Sequence, residues 1–291
     1  MHHSKLKLLS VLTLTSTLIA CGGGSGGGNG DGRLNLSVTD APVDEATAVM
    51  VTFTSVEIHG SGDRDVLVEF DEPMQIDLLA LQGDDSTPLL SGQTLTPGEY
   101  QWIRLGVSTN EEMDTYLQLG DAIHELDVPS GAQNGLKLNR GFTVTAGGVT
   151  NFTIDFDLRK SIHQNNSGYV LRPTLRIVDD NEIGHLQGSV DNSLLSNQCG
   201  QEDNYAVYAF TGADATLDDL GSSNAPLTTA LLTESEGVYS YEIGYLLAGT
   251  YTVALVCDST SDQPDSDDEV VFHLGGNVTI SEGDTAIFNF E

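Results

Sequence analysis

The sequence predicts an all-β protein made of two consecutive β-sandwich domains. Short runs of alternating apolar and polar residues recur along the chain, while the periodicity of amphipathic helices is nearly absent. Gly, Asn, Asp and Pro separate these runs, as in turns between short strands. A break near residues 179–184 divides two such series, and neither Lys nor Arg occurs after it. We therefore expect one domain over residues 33–180 and a second over residues 181–291.

The chain begins with a segment typical of export. Lys5 and Lys7 precede an apolar run over residues 8–19, which is too short to span a bilayer as a helix. The next residues, Leu18-Ile19-Ala20-Cys21, resemble a bacterial lipobox, and a Gly-rich stretch follows. The resemblance implies that residues 1–20 are a lipoprotein signal peptide.

The same resemblance implies that acylated Cys21 anchors the mature chain in a membrane, with residues 21–32 as a tether. Gly22 stands where lipoproteins of the inner membrane tend to have Asp, so we expect the outer membrane of a Gram-negative bacterium. The alternative is an ordinary cleaved signal followed by an incidental thiol.

In the first domain, alternating runs predict strands whose apolar side chains face a core. Val49, Val51 and Phe53 alternate with Met50 and Thr52, and we expect a bulge at Thr54-Ser55. The predicted strands span residues 33–39, 49–58, 65–70, 75–79, 99–107, 115–119, 122–128 and 142–145.

The clearest alternation in this domain predicts an antiparallel hairpin. Phe152, Ile154, Phe156 and Leu158 share one face of the first strand, and a polar loop over residues 161–168 leads to Leu171, Leu175 and Ile177. The opposite, solvent-facing side would then carry Asp155, Asp157, Arg159, Arg172 and Arg176.

The second domain is predicted to contain seven short strands. They span residues 185–190, 205–210, 238–243, 250–257, 270–274, 278–280 and 285–290. Cys199 and Cys257 are an even pair in an exported chain, so we expect a disulfide, which stabilises by roughly 4 kcal/mol in the chain-entropy model. Two free thiols and half of a metal site are the alternatives.

The charge of the chain is strongly acidic and uneven. The 43 Asp and Glu residues outnumber the 11 Lys and Arg residues, and 19 carboxylates fall in residues 181–291. Such a surface repels nucleic acid, which needs a cationic partner. Adaptation to salty surroundings and a specific cation requirement both remain open explanations.

Several motifs in order resemble a known bacterial family. They are Leu34-Asn-Leu-Ser-Val-Thr-Asp-Ala-Pro-Val-Asp44, Val49-Met-Val-Thr-Phe-Thr-Ser-Val-Glu-Ile-His59, Ile76-Asp-Leu-Leu-Ala-Leu-Gln-Gly83, Leu95-Thr-Pro-Gly-Glu-Tyr100 and Phe152-Thr-Ile-Asp-Phe-Asp-Leu-Arg-Lys-Ser161. They resemble domain-of-unknown-function family 4382, found in acidic lipoproteins with a Gly-rich tether. The resemblance covers residues 33–179 and implies architecture and location without an activity.

A second resemblance concerns the C-terminal domain. Leu247-Ala-Gly-Thr-Tyr-Thr-Val253 and Val278-Thr-Ile-Ser-Glu-Gly-Asp-Thr-Ala-Ile287 resemble turns and strands of transthyretin-like, carboxypeptidase-regulatory-type repeats, which share a carbohydrate-binding-like fold. This implies an immunoglobulin-like or transthyretin-like sandwich and says nothing about the ligand.

Two clusters are candidates for binding. The first is an acidic loop whose oxygens suit a hard cation such as Ca²⁺, with a solvated loop as the alternative; it comprises Asp258, Asp262, Asp265, Asp267, Asp268 and Glu269. The second is a candidate site for a sugar or an anionic ligand, with a surface ion-pair ladder as the alternative; it comprises Trp102, Asp155, Asp157, Arg172 and Arg176.

No catalytic motif stands out. The sequence has no His-Glu-x-x-His pair, no Gly-x-Ser-x-Gly elbow outside the Gly-rich stretch and no phosphate-binding Gly-x-x-x-x-Gly-Lys. We therefore expect a membrane-anchored, non-catalytic surface or periplasmic lipoprotein that acts as a binding or adhesion-type module, with a glycan or an envelope protein as its partner. The alternatives are a structural envelope protein stabilised by divalent cations, and a hydrolase with dispersed carboxylates.

Overall fold

The computed structural model of the chain describes residues 30–41, 46–109, 113–129, 135–200 and 204–291. Two separate hydrophobic cores account for most of its buried side chains. One is formed by side chains from the part of the sequence that runs from Leu34 to Ile177, and the other by side chains from Leu186 to Phe290. We call residues 33–180 the N-terminal region and residues 181–291 the C-terminal region.

The N-terminal region is built from two sheets that share the first core. The smaller sheet has the order β13-β10-β1-β4. Its strands are β1 (Gly32–Ala41), β4 (Thr87–Leu95), β10 (Val149–Asp157) and β13 (Leu175–Asp179).

The larger sheet has nine strands, in the order β11-β12-β7-β6-β2-β5-β8, with β3 also paired to β2 and β9 also paired to β5. These strands are β2 (Ala46–Gly60), β3 (Val66–Asp77), β5 (Gly98–Val107), β6 (Tyr116–Leu119), β7 (Ala122–Asp127), β8 (Leu136–Leu138), β9 (Phe142–Val144), β11 (Ile162–Asn165) and β12 (Gly168–Leu171). A 3-10 helix, Leu78–Ala80, follows β3.

Long strand β2 shows how the sequence pattern produces this sheet. Val49, Val51 and Phe53 are fully buried, as their alternation predicts. The register to both neighbouring strands shifts between Phe53 and Ser55, which confirms the predicted bulge and lets Val56 and Ile58 return to the core side.

Strands β10 and β13 pair antiparallel, as predicted for these segments. The predicted hairpin is wrong, however, because a short helix, β11 and β12 lie between the two strands, and Leu171 belongs to β12 in the larger sheet. In addition, β10 pairs with β1 in parallel over nine residues, from Arg33 opposite Val149 to Ala41 opposite Asp157. The chain turns directly after β10 into a short helix, α1 (Leu158–Ser161), whose first turn is capped by Asp157. The predicted strand therefore ends one residue before Leu158.

The C-terminal region is a sandwich of two four-stranded sheets around the second core, with the orders β17-β18-β14-β21 and β16-β15-β19-β20. The strands are β14 (Ile183–Val190), β15 (Ala206–Thr211), β16 (Thr228–Leu231), β17 (Thr233–Ser235), β18 (Val238–Leu247), β19 (Gly249–Val256), β20 (Phe272–Ile280) and β21 (Thr285–Ile287). The region also contains α2 (Asn192–Gln198) and a 3-10 helix, Ser259–Ser261. The predicted all-β sandwich class is confirmed.

The predicted disulfide is also confirmed. Cys199, directly after α2, is bonded to Cys257, directly after β19, and the two Cα atoms lie 5.2 Å apart. Both cysteines are buried. The bond therefore fastens the short helix to a central strand of the sandwich.

Several elements differ from the sequence prediction. The segment predicted as a polar loop, residues 161–168, contains β11 and the turn to β12, and the strands predicted at residues 270–274 and 278–280 form one strand, β20 (Phe272–Ile280). Strands β4, β8, β16 and β17 and helix α2 were not predicted. Strand β16 lies almost wholly inside, so Thr228, Thr229 and Ala230 show no alternation, and α2 is too short for helical periodicity to be visible.

Candidate functional site

A cleft of about 600 Å³ lies where the two regions meet. Strand β10, helix α1 and the start of β13 form one wall, and the end of β15 with the segment before β16 forms the other. The lining residues are Asp155, Asp157, Lys160, Thr174, Leu175 and Arg176 on the first wall, and Phe210, Thr211, Ala215, Thr216, Asn224, Ala225, Pro226, Leu227 and Thr228 on the second. We call this space the junction cleft.

Asp155 and Arg176 form the first of two ion pairs in the cleft. They are cross-strand partners in the β10–β13 register, and Arg176 donates from Nε and Nη2 to Asp155 Oδ2, each at 2.5 Å. Burial raises the pKa of Asp155, and the neighbouring Arg176 opposes that shift. The pairing fixes both side chains in position.

The second ion pair joins Asp157 and Lys160, whose Oδ2 and Nζ atoms are 3.0 Å apart. Asp157 also caps α1 by accepting a hydrogen bond from the Lys160 backbone N–H at 3.2 Å. The Lys160 ammonium reaches across the cleft and donates to the carbonyls of Pro226 (2.6 Å) and Leu227 (3.2 Å). Lys160 thus links the two walls.

Arg159 makes a buried contact between the regions, with a residue exposure of 4%. Its Nη1 donates to Tyr208 Oη (3.0 Å) and Thr229 Oγ1 (3.3 Å), and its Nη2 donates to the Ser259 carbonyl (2.6 Å). The guanidinium carbon also lies 5.2 Å from the centroid of the Tyr208 ring. The cation that the C-terminal region lacks in its own sequence is supplied here by the N-terminal region.

Beyond Arg159, a chain of hydrogen bonds continues into the acidic loop. Tyr208 Oη donates to Asp262 Oδ2 (2.7 Å), and the Leu220 N–H donates to Asp262 Oδ1 (3.0 Å). Asp262 is almost fully buried, and burial is the main cause that raises its pKa. The loop is therefore anchored rather than free in solvent at this residue.

Three carboxylates converge beside this anchor. One oxygen from each of Asp219, Asp262 and Asp268 lies within 4.8 Å of the other two. Asp219 comes from the turn between β15 and β16, and the other two come from the acidic loop. Oδ1 of Asp219 is buried and accepts no hydrogen bond from any described residue.

The other acidic residues predicted as metal ligands lie elsewhere. Asp265 pairs with His163 Nδ1 at 2.8 Å, and Asp258 accepts a hydrogen bond from Thr260 Oγ1 at 2.7 Å. Asp267 and Glu269 are exposed. Of the six predicted residues, the structure brings only Asp262 and Asp268 into the cluster.

The predicted ligand-binding set is divided between two places. Asp155, Asp157 and Arg176 line the junction cleft, and the expectation that the two carboxylates face solvent is wrong, because the C-terminal region covers them. Trp102 and Arg172 lie on other surfaces of the N-terminal region.

The surroundings of Trp102 and Arg172 are cationic. The Trp102 ring stacks on His59 with centroids 4.7 Å apart, and Arg104 and Lys137 lie 4.8 and 4.5 Å from its centroid. Arg172 lines a second pocket, of about 610 Å³, together with Arg104 and Lys137.

Sequence reasoning missed three residues of these sites. Asp219 has only its neighbour Asp218 as a local signal, and it is far from the acidic loop along the chain. Lys160 and Thr228 become cleft residues only when the two regions meet. The predicted lipidation site, Cys21, lies outside the described residues.

Among the described residues, no helix combines the length and apolar character needed to cross a membrane. No curated protein matches the chain. Among solved structures, a leucine-rich repeat protein from Bacteroides thetaiotaomicron is 12% identical, with a TM-score of 0.23, over 90% of this chain and 26% of that one. The Bacillus anthracis TIE protein is 10% identical, with a TM-score of 0.21, over 90% and 34% of the two chains.

This chain thus spans about a quarter of the leucine-rich repeat protein and about a third of the TIE protein. The minor pilin GBS52 of Streptococcus agalactiae is 11% identical, with a TM-score of 0.22, over 88% of this chain and 94% of the pilin. These likenesses are too distant to support an argument about function. The motifs of the N-terminal region have a firmer counterpart: residues 31–173 match the family described as "Domain of unknown function (DUF4382)".

Proposed function

We propose that this chain is a non-catalytic binding module of the bacterial cell envelope, anchored in the outer membrane through acylated Cys21, and that it binds a glycan in the junction cleft. The observation that carries the binding proposal is the pair of ion pairs, Asp155–Arg176 and Asp157–Lys160, fixed on one wall of the cleft. Export and anchoring rest on the signal-like start and the lipobox resemblance.

The chemistry of the cleft favours a ligand rich in hydroxyl groups. Its volume lies in the usual range for small-ligand sites, roughly 300–1,000 Å³. Each charged group already has an opposite charge beside it, so a charged ligand would have to displace one partner. The lone pairs and N–H groups that remain can bind sugar hydroxyls, together with Thr211, Thr216 and Asn224 on the opposite wall.

The same pairing argues against hydrolysis at this site. A glycosidase needs one protonated carboxylic acid and one available carboxylate. Here Asp155 and Asp157 each contact a cation, and both belong to strand β10 rather than to opposite sides of an open cleft. We therefore propose binding without turnover.

Blocking the cleft tests the proposal. The full chain in detergent would be screened against immobilised neutral and acidic oligosaccharides, and the best ligand measured by calorimetry. Thr216→Trp places a large ring on the exposed edge of the cleft and should weaken binding at least tenfold. Thr279→Trp is the matched control, because Thr279 is also exposed but lies on β20, outside the cleft.

Equal binding by the Thr216→Trp variant and the wild type would contradict the cleft as the site. Preference for acidic sugars with loss of binding in Arg172→Met would instead place the ligand in the second pocket. Release of shortened products from a bound oligosaccharide would favour the hydrolase alternative.

A further inference from the structure

We propose that Asp219, Asp262 and Asp268 bind one Ca²⁺ ion, and that this ion stiffens the loop that receives Arg159. The proposal does not depend on the junction cleft or its ligand. It would give the chain the divalent-cation stabilisation that the acidic composition suggested, with a ligand set different from the one the sequence indicated.

The spacing of the cluster suits a calcium ion. Ca²⁺–oxygen bonds are about 2.3–2.6 Å long, so two ligands on opposite sides of one ion are up to about 5 Å apart. One carboxylate oxygen from each of the three residues lies within 4.8 Å of the other two. Three carboxylates provide up to six oxygens, and water or carbonyls can complete a coordination number of six to eight.

The buried Oδ1 atom of Asp219 also favours a bound cation. Asp219 has a residue exposure of 1%, and its Oδ1 has no hydrogen-bond donor among the described residues, while Oδ2 accepts from the Asp268 N–H. A buried carboxylate oxygen without a donor is costly. A cation between the three side chains would satisfy this atom and reduce the repulsion among them.

The two ligand-bearing segments are in close contact, so the site is largely preformed. A Cβ atom added to Gly221 would lie 1.7 Å from the Ser266 carbonyl oxygen, which shows how tightly the turn packs against the acidic loop. The loop itself is held by hydrogen bonds from the Gln263 N–H and Ser266 Oγ to Asp268 Oδ2, both at 2.8 Å.

The site is connected to the junction through Tyr208. Its hydroxyl group donates to Asp262 and accepts from Arg159, whose other N–H group binds the Ser259 carbonyl in the same loop. An ion that holds Asp262 in place therefore also restrains the Tyr208 hydroxyl and the Ser259 carbonyl, the two groups that accept hydrogen bonds from Arg159.

Calcium titration of the full chain in detergent, after removal of metal with a chelator, tests the site. Calorimetry should show saturable binding of one Ca²⁺, and the melting temperature should rise by about 5–10 °C at a hundredfold excess over the dissociation constant. Sodium chloride at matched ionic strength should give a smaller, non-saturable effect.

Asp219→Asn is the informative variant. It keeps the side-chain shape and an oxygen that can accept from Asp268, but it removes one buried negative charge. Calcium affinity should fall at least tenfold, while the melting temperature in chelator should equal or exceed that of the wild type. Asp267→Asn is the matched control, because it also removes one negative charge but from an exposed position of the acidic loop. Its affinity for Ca²⁺ should equal that of the wild type.

Absence of saturable binding to the wild type would overturn the proposal. Equal loss of affinity in Asp219→Asn and Asp267→Asn would also overturn it, because a diffuse ion atmosphere would then explain the effect. A purely structural role for Asp219 predicts a lower melting temperature for Asp219→Asn in chelator, the opposite of our expectation. Asp268→Asn provides a second ligand variant with the same expected loss of affinity.

Discussion

Arg159 is the residue through which the two regions depend on each other most directly. Its guanidinium group is buried among Tyr208, Thr229 and Ser259, all of which belong to the C-terminal region. Hydrogen bonds from a charged donor contribute about 1.5–3 kcal/mol each when the alternative is an unsatisfied buried partner. A short helix at the end of β10 thus presents two cations, Arg159 and Lys160, to a region that has no Lys or Arg of its own.

Replacing Arg159 by Met, which has a similar length and no charge, should lower the free energy of unfolding by about 2–4 kcal/mol. The reason is that the Ser259 carbonyl and the Thr229 hydroxyl each lose a hydrogen bond from a charged donor. Urea denaturation followed by circular dichroism measures the change. Arg172→Met is the matched control, because Arg172 is exposed and should change stability by no more than about 0.5 kcal/mol. Equal losses in the two variants would contradict a special role for Arg159.

His185 gives the junction a dependence on pH. Burial lowers its pKa from the ordinary histidine value, with Asp84 opposing the shift, and its Nδ1 has no hydrogen-bond partner among the described residues. The ring packs edge-on against Tyr245, with centroids 5.3 Å apart. Because the folded state disfavours the charged imidazole, the unfolded chain takes up a proton first as the pH falls.

The free energy of unfolding of the wild type should therefore decrease as the pH falls from about 7 to about 5.5. The variant His185→Phe should lose less stability over the same range. The phenyl ring keeps the contact with Tyr245 and has no proton to bind. Thermal melting of both proteins across this pH range is the measurement. His273→Phe, on strand β20, should retain the pH dependence of the wild type, and a variant His185→Phe with an unchanged pH dependence would refute the assignment.

At the scale of the elements, the position of helix α2 depends on the Cys199–Cys257 disulfide. The helix has seven residues, Asn192–Gln198, and lies between its N-cap Asp191 and its C-cap Cys199. A helix of this length is marginal in isolation. The disulfide to Cys257 holds it against β19, and Leu194 and Leu195 then pack into the core of the sandwich.

Changing both cysteines to Ala should lower the free energy of unfolding by up to about 4 kcal/mol, because the unfolded chain loses a cross-link across 58 residues. Denaturation with and without a reducing agent checks the cause. The reductant should destabilise the wild type and leave the double variant unchanged. A wild type that is equally stable in reductant would contradict a stabilising role of the bond.

Strand β10 is the element that organises the site. It pairs with β1 in parallel and with β13 antiparallel, so both of its edges are occupied. Its apolar residues, Ile154 and Phe156, enter the core, while Asp155 and Asp157 point to the junction. The alternation that creates one buried face also aligns the two cleft carboxylates.

At the scale of the whole molecule, the local patterns of the sequence indicate the strands well and the contacts between distant segments poorly. The alternation in β2, its bulge and the β10–β13 pairing all follow from period-two patterns. The parallel pairing of β1 with β10 has no local signal, because it joins segments more than 100 residues apart.

The candidate sites show the same limit. A sheet face that carries Asp155 and Arg176 on neighbouring strands indicates a polar surface, but only the second region, which covers that surface, turns it into a cleft. The acidic loop is visible in the sequence, whereas Asp219 joins it from a different turn. What could not be predicted is which distant side chain completes each cluster.

The positions of the cations along the chain also fix when they are synthesised relative to their partners. Arg159 and Lys160 precede every residue of the C-terminal region in the sequence, so they are synthesised before the partners that they contact. N-terminal units generally fold first as a chain emerges. The N-terminal region is acidic as a whole, yet it presents Arg159 and Lys160 at the surface that the second region covers, so these two cations are in place before the carboxylate-rich half is synthesised.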